Sequence, residues 1–161
     1  KPDVYALHRA EKSDIDHCVI AKRDYITQEE FSTALLKKLQ SYQIDMIVLA
    51  GYLSILDETI IRAYPDRIIN IHPSLIPSFC GKGYYGLKVH EAALEYGVKV
   101  TGATVHLVNE IPDGGKILLQ KAVDILPSDT PEVLQQRVME EAEWILLPQA
   151  TEMIAKEIEG K

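Results

Sequence analysis

The feature that most constrains the fold is an uninterrupted apolar run at residues 46–50, which follows Asp45 and precedes Gly51. Its five residues do not alternate with polar ones, and a strand of this kind is covered on both faces, as parallel strands are. A second such strand is predicted at residues 67–71. Helical patterns precede and follow both runs. We therefore predict an α/β protein with a mostly parallel central sheet flanked by helices.

Capping signals and periodicity predict the remaining elements. Thr27 and Glu30 form a capping-box signature, and apolar residues then recur at helical spacing to about residue 42. Thr130 followed by Pro131 is typical of a helix start, and this helix is predicted to reach about residue 158. Further helices are predicted at about residues 2–10, 57–63 and 85–96, and further strands at 15–20, 98–108 and 116–125, the last two of which could pair.

Length and charge exclude several classes of protein. The 161 residues, of which 47% are hydrophobic, suffice for one core, and no linker or repeat divides them, so a single domain over residues 1–161 is predicted. The 24 acidic and 17 basic side chains do not favour nucleic-acid binding. The longest apolar run is far shorter than the roughly 18 residues of a membrane span. We expect a cytoplasmic protein without nucleic-acid or membrane partners.

Two polar clusters are candidates for a functional site. Asn70 and His72 lie two positions apart at the end of the 67–71 strand, so their side chains project on the same side of the chain. Ligands of parallel sheets bind beyond the carboxyl ends of the strands. A second cluster occupies residues 109–115, with His106 just before it. Its carboxylates could reach the same site.

These residues also have plain structural explanations when each is taken alone. Asn70 and His72 could be a hydrogen-bonded pair at a strand end, and an aspartate before a glycine, as at Asp113, is favoured in turns. His106 lies in an alternating apolar strand and could be a core histidine. The two clusters are more informative together than apart.

Together the clusters resemble the motifs of the phosphoribosylglycinamide formyltransferases, which transfer a formyl group from 10-formyltetrahydrofolate to an amine in purine synthesis. The pattern Asn-x-His-Pro-Ser-Leu-x-Pro stands at residues 70–77, and His-x-Val with a following Asp-Gly-Gly loop stands at residues 106–115. Similarity runs from residues 2–3 through 49–52 to the C-terminal helix. The resemblance implies the Rossmann-like formyltransferase fold and 10-formyltetrahydrofolate as co-substrate.

The resemblance also implies roles for individual side chains. Asn70, His72 and Asp113 match the catalytic residues of the family, and His106 matches a supporting histidine. Attack of an amine on a formyl carbon produces an oxyanion, to which Asn70 and a protonated His72 would donate hydrogen bonds. Asp113 would hold His72 and favour its charged form. This chemistry needs no metal, so no metal site is predicted, and His90 is expected to be a surface or packing residue.

Ligand contacts are implied in the same way. The residues expected to contact the folate are Leu53, Ile55, Leu56, Ile61, Asn109, Glu110 and Ile111. Those expected to contact glycinamide ribonucleotide are Ile71, Pro73 and Glu143. An ordinary core would use the same apolar types, and a solvated helix face is the alternative for Glu143. The spacing from Arg137 to Glu143 is one residue longer than the usual pattern of the family.

The chain departs from the family pattern at three places. Gln28 and Ser54 stand where relatives commonly carry Arg, which removes cations that could face an anionic folate tail. Residues 81–86 resemble an insert seen in part of the family, and they could be a lid or a plain Gly-rich connection. The first strand and the Gly-rich phosphate loop of relatives are not found before Lys1, so we expect a domain that is N-terminally incomplete.

The predicted function is formyl transfer to the amine of glycinamide ribonucleotide. Pro73 favours this enzyme over the formyltetrahydrofolate deformylases, which tend to carry a second histidine at that position. A deformylase and a non-catalytic folate-binding fragment stay open as alternatives. Small-molecule substrates are the expected partners, and the chain is expected to be a monomer or a weak homodimer.

Overall fold

The computed structural model of the protein describes residues 4–52, 54 and 56–160. The chain divides into two compact units, Lys1–Ile44 and Asp45–Lys161. The first contains helices α1 (Tyr5–Lys12) and α2 (Gln28–Ser41), with a 3-10 turn at Lys22–Asp24 between them.

The start of α2 is set by a capping box. The Thr27 side chain accepts a hydrogen bond from the Glu30 backbone N–H at 3.1 Å, and Glu30 Oε2 accepts one from the Thr27 N–H at 3.3 Å. This part of the prediction is confirmed. The predicted strand at residues 15–20 is wrong, because the described chain has no strand there and Ile15 is 60% exposed. An apolar composition makes a strand only where a neighbouring strand takes up its backbone hydrogen bonds.

The second unit is built on a four-stranded sheet with the order β1-β2-β3-β4. Its strands are β1 (Ile47–Leu49), β2 (Ile68–His72), β3 (Val100–Leu107) and β4 (Ile117–Asp124). The predicted α/β class with helices beside a sheet is confirmed. Strands β1 and β2 pair in parallel, as the apolar runs indicated, whereas β3 pairs antiparallel with both β2 and β4 and makes the sheet mixed. The predicted pairing of the two long extended segments is confirmed as the β3–β4 hairpin.

The helices of this unit are α3 (Glu58–Ala63), α4 (Leu87–Tyr96), α5 (Pro131–Val138) and α6 (Trp144–Glu159). The predicted long C-terminal helix is found as α5 and α6 joined by a π-helical turn, Met139–Glu143. A π turn holds one more residue than an α turn. The helical segment therefore continues from α5 to α6 through Met139–Glu143 without a break. Among the described helices, none is both long and apolar enough to cross a bilayer.

The hydrophobic core of the unit lies between the sheet and α5–α6. Its buried members are Ile69, Ile71, Ala103, Val105 and Val123 from the strands, and Leu134, Val138, Ala142, Leu146, Ala150 and Ile154 from the helical segment. Side chains alternate between the faces of a strand. Because Ile69 and Ile71 face the core, Asn70 and His72 project from the opposite face of β2.

Gly115 allows the loop between β3 and β4 to close. A Cβ at this position would lie 1.7 Å from the carbonyl oxygen of Leu107, a backbone atom that cannot swing away. Gly115→Ala is therefore expected to lower the free energy of unfolding by about 1–3 kcal/mol, the usual cost of overpacking. Gly160→Ala is the matched control, because its Cβ would lie 3.3 Å from the nearest atom. Equal unfolding midpoints for the two variants in denaturant would contradict this explanation.

Candidate active site

One cavity of about 470 Å³ lies at the carboxyl ends of β1 and β2. Asn70 and His72 reach it from β2, and His106 reaches it from β3, where it is paired with Asn70 across the ladder. Directly paired residues on neighbouring strands have side chains on the same face of the sheet. Asp113 enters from the β3–β4 loop. The four polar residues predicted from the two motifs thus line one space.

The carboxylate of Asp113 lies between two imidazoles. Its Oδ2 is 3.6 Å from Nδ1 of His72, and its Oδ1 is 3.5 Å from Nε2 of His106. His72 and His106 are 5% and 2% exposed, and the Asp113 side chain is 15% exposed. Bulk water therefore weakens these interactions much less than it would at the surface.

The environment of Asp113 favours its ionised form. Burial by itself raises the pKa of this carboxyl, but the hydrogen bond with His106, the hydrogen bond from the Gly81 N–H and the charges of His72 and His106 together outweigh burial. The pKa of Asp113 consequently lies below its ordinary value. A carboxylate at this position is charged at neutral pH.

Backbone carbonyls determine which ring nitrogens of the two histidines carry a proton. Nε2 of His72 lies 2.8 Å from the Phe79 carbonyl oxygen, and Nδ1 of His106 lies 2.9 Å from that of Leu107. A carbonyl oxygen only accepts, so each of these nitrogens donates. Nε2 of His106 lies 3.5 Å from Oδ1 of Asp113 and 3.2 Å from Nδ2 of Asn70, so it donates to the carboxylate when the ring is protonated and accepts from the Asn70 amide when the ring is neutral. This contact orients the amide of Asn70.

A third histidine lies behind this group. His90, on α4, is fully buried, and neither of its ring nitrogens has a hydrogen-bond partner among the described residues. Burial, and then the charge of His72, lower the pKa of His90 to about 4. His90 is therefore a neutral packing residue at physiological pH, in agreement with the expectation from sequence.

Most residues expected to contact ligands line the cavity. These are Leu56, Ile71, Pro73, Asn109, Glu110 and Ile111. Leu53 and Ile55 lie outside the described residues. Ile61 is half-buried on α3 and is not among the described residues that line the cavity. Its folate contact stays a prediction.

Glu143 does not line the described part of the cavity either. It is the last residue of the π turn and is half-buried. Burial raises the pKa of its carboxyl. Its role toward the ribonucleotide stays a prediction.

Sequence reasoning missed contributions from the Gly-rich segment. Lys82, Tyr84 and Tyr85 line the cavity, and the Gly81 N–H donates to Asp113 Oδ2 at 2.7 Å. The cluster of glycines at residues 81–86 marked an unusual loop. Nothing in the sequence indicated which carboxylate that loop contacts.

The fold and the site define an α/β protein with a largely buried histidine–aspartate cluster at its strand ends. Residues 1–151 match the family model described as formyl transferase. The chain belongs to this formyl transferase family.

Individual relatives agree with that assignment. The chloroplastic phosphoribosylglycinamide formyltransferase of Arabidopsis thaliana is 50% identical over 107 residues, which cover 66% of this chain and 37% of the relative. The trifunctional purine biosynthetic protein adenosine-3 of Drosophila melanogaster is 39% identical over 154 residues, 96% of this chain and 11% of the relative. The chain thus spans little more than a third of the first relative and about a tenth of the second.

Solved structures show the same fold. Glycinamide ribonucleotide transformylase 1 from Symbiobacterium toebii superposes with a TM-score of 0.89 at 40% identity, covering 97% of this chain and 71% of that one. Phosphoribosylglycinamide formyltransferase from Bacillus halodurans gives a TM-score of 0.87 at 34% identity, and the match covers 97% of this chain and 78% of that one. The predicted formyltransferase fold is confirmed.

Proposed function

We propose that this chain carries the catalytic centre of a phosphoribosylglycinamide formyltransferase, which moves a formyl group from 10-formyltetrahydrofolate to the amine of glycinamide ribonucleotide. The observation that carries the proposal is the meeting of Asn70, His72 and Asp113 in one cavity of a formyl transferase family member. Relatives that bear this name, including a solved structure with the same fold, support the choice of substrates.

The reaction begins when the amine attacks the formyl carbon. A C–N bond forms, and the electron pair of the carbonyl moves to its oxygen. The Asn70 amide and the Nδ1–H of the His72 imidazolium donate hydrogen bonds to this oxyanion, because Nε2–H of His72 is already bound to the Phe79 carbonyl whereas Nδ1 lies 3.6 Å from Asp113. One such donor is typically worth about 10²- to 10³-fold in rate. The oxyanion then collapses, the bond from carbon to the folate nitrogen breaks, and the formyl group remains on the amine.

Protons must move in the opposite direction to the formyl group. The attacking amine loses a proton, and the departing folate nitrogen gains one. Asp113, ionised because of its low pKa, holds His72 from the Nδ1 side, so the pair is suited to take up and return this proton, directly or through water. General acid–base catalysis of this kind contributes roughly 10²- to 10⁴-fold.

The remaining contacts belong to the same proposal. The apolar residues Leu53, Ile55, Leu56 and Ile61, with Asn109, Glu110 and Ile111, hold the folate, while Ile71, Pro73 and Glu143 serve the ribonucleotide. A cytoplasmic location and a monomeric or weakly dimeric state stay predictions, and the Arabidopsis relative is named as chloroplastic.

The test is a direct assay with both substrates. The protein is incubated with 10-formyltetrahydrofolate and glycinamide ribonucleotide, the formylated ribonucleotide is measured by mass spectrometry, and tetrahydrofolate by absorbance. The two products should appear in equal amounts. Formate release at the same rate without ribonucleotide would indicate a deformylase instead. Folate binding with neither product would indicate a non-catalytic module.

Lys82 is expected to attract the anionic parts of the substrates. Among the described residues that line the cavity, it is the one Lys or Arg, and it is exposed. Lys82→Glu should raise the KM of the substrate whose anionic group Lys82 attracts about 5- to 10-fold, with little change in kcat, since one charge contact near the surface is worth about 1 kcal/mol. Added salt should raise the wild-type KM more than that of the variant. Lys99→Glu, at an exposed position away from the cavity, is the control; equal KM values for the two variants would contradict this role.

A further inference from the structure

Residues 79–81, the clamp segment, contact both partners of the His72–Asp113 pair through the main chain. The Phe79 carbonyl accepts from His72 Nε2 at 2.8 Å, and the Gly81 N–H donates to Asp113 Oδ2 at 2.7 Å. The same Oδ2 atom lies 3.6 Å from His72 Nδ1. Histidine, clamp segment and carboxylate therefore form a closed circuit of polar contacts.

The backbone of Phe79 adopts a conformation that residues with a Cβ disfavour. Its φ is +49°, in the left-handed region. Its ring packs edge-on against Tyr84 and Tyr96, with ring centroids 6.2 Å and 5.9 Å apart. Edge-to-face aromatic pairs at these distances are attractive. The two tyrosines thus stabilise the ring position that accompanies the disfavoured φ.

We propose that Phe79 is a positioning residue whose packed ring holds the clamp segment in place, so that its carbonyl binds the Nε2–H of His72 and leaves Nδ1 facing Asp113. The catalytic consequence rests on the proposed function. The contacts themselves exist without any ligand.

The clamp determines at which atom His72 exchanges its proton with Asp113. With Nε2–H donated to Phe79, a half-turn of the imidazole would bring ring carbons toward both acceptors and lose both interactions. The ring is therefore held in one orientation. Without an aromatic ring at position 79, the carbonyl of that residue would no longer be held against His72, and the imidazole could rotate. The chemical step would then be slower, while ligand contacts elsewhere in the cavity persist.

The test compares Phe79→Ala with the conservative Phe79→Tyr. Phe79→Ala should lower kcat about tenfold with KM changed less than twofold, and Phe79→Tyr should keep both within about twofold. Tyr96→Ala removes one ring contact at an 81% exposed residue, so it should fold like the wild type, and it should lower kcat about threefold. Thermal unfolding of each variant separates this effect from loss of folded protein.

A second measurement needs no activity. In ligand-free protein with 15N-labelled histidine, the ring signals of His72 should show the proton held at Nε2 in wild type and Phe79→Tyr, and a mixture of tautomers in Phe79→Ala. Unchanged ring signals in Phe79→Ala would overturn the clamp, whether or not kcat falls. If the wild type transfers no formyl group, the proposed function fails, and the ring signals still decide the clamp.

Discussion

His72→Ala is expected to lower kcat for formyl transfer by about 10²- to 10⁴-fold, with little change in the KM of either substrate. The variant loses both a hydrogen-bond donor to the oxyanion and the group that exchanges a proton with Asp113. Interactions made only in the transition state affect kcat rather than binding. Steady-state rates at saturating substrates measure the effect, with circular dichroism to confirm that the variant is folded.

His8→Ala is the matched control for this substitution. His8 is exposed on α1 in the first unit of the chain, so its loss should leave turnover at the wild-type rate. A His72→Ala protein that turns over within about threefold of the wild type would remove the basis for the proposed mechanism. If the variant and the wild type both bind folate and neither is active, a non-catalytic binding module becomes the better explanation.

Asp113→Asn is expected to lower kcat by a similar factor, roughly 10²- to 10⁴-fold. Asparagine keeps the shape of the side chain but removes the negative charge that faces His72 and His106. The imidazolium of His72 then loses its counter-ion at the moment when the oxyanion forms. Asp124→Asn, at an exposed residue of β4, is the control and should retain full activity.

The same substitution should change how stability depends on pH. The pKa of Asp113 in the folded protein lies below its ordinary value of 3.8, so its ionised form stabilises the folded state. This contribution is fully present above the ordinary value and is lost as the pH falls toward the folded-state value. The difference in unfolding free energy between wild type and Asp113→Asn should therefore shrink as the pH falls below about 4. A difference that grows as the pH falls below about 4, measured by denaturant unfolding, would contradict the assigned direction.

Local signals in the sequence predicted those features that depend on residues close along the chain. The Thr27–Glu30 capping box and the Thr130-Pro131 helix start were predicted because a cap satisfies backbone groups within one turn. The two-residue spacing of Asn70 and His72 placed both on one face of β2, because side chains alternate along any strand.

Other features depend on partners distant in sequence. Residues 15–20 were predicted to form a strand, yet the described chain supplies no partner strand for them. The π turn is a further case, because the helical pattern predicted one long helix and gave no sign of where an i→i+5 turn would interrupt its α-helical hydrogen bonds.

The amino-acid sequence by itself determined the helix starts, the paired β3–β4 segments and the polar residues that line the cavity, since capping, periodicity and side-chain chemistry act over a few neighbouring positions. Only the tertiary structure decided that Asp113 lies between His72 and His106, and that the Phe79 carbonyl binds His72. Such contacts arise when the sheet and its loops fold together, because distances between residues far apart in the chain are set by the packing of the whole unit.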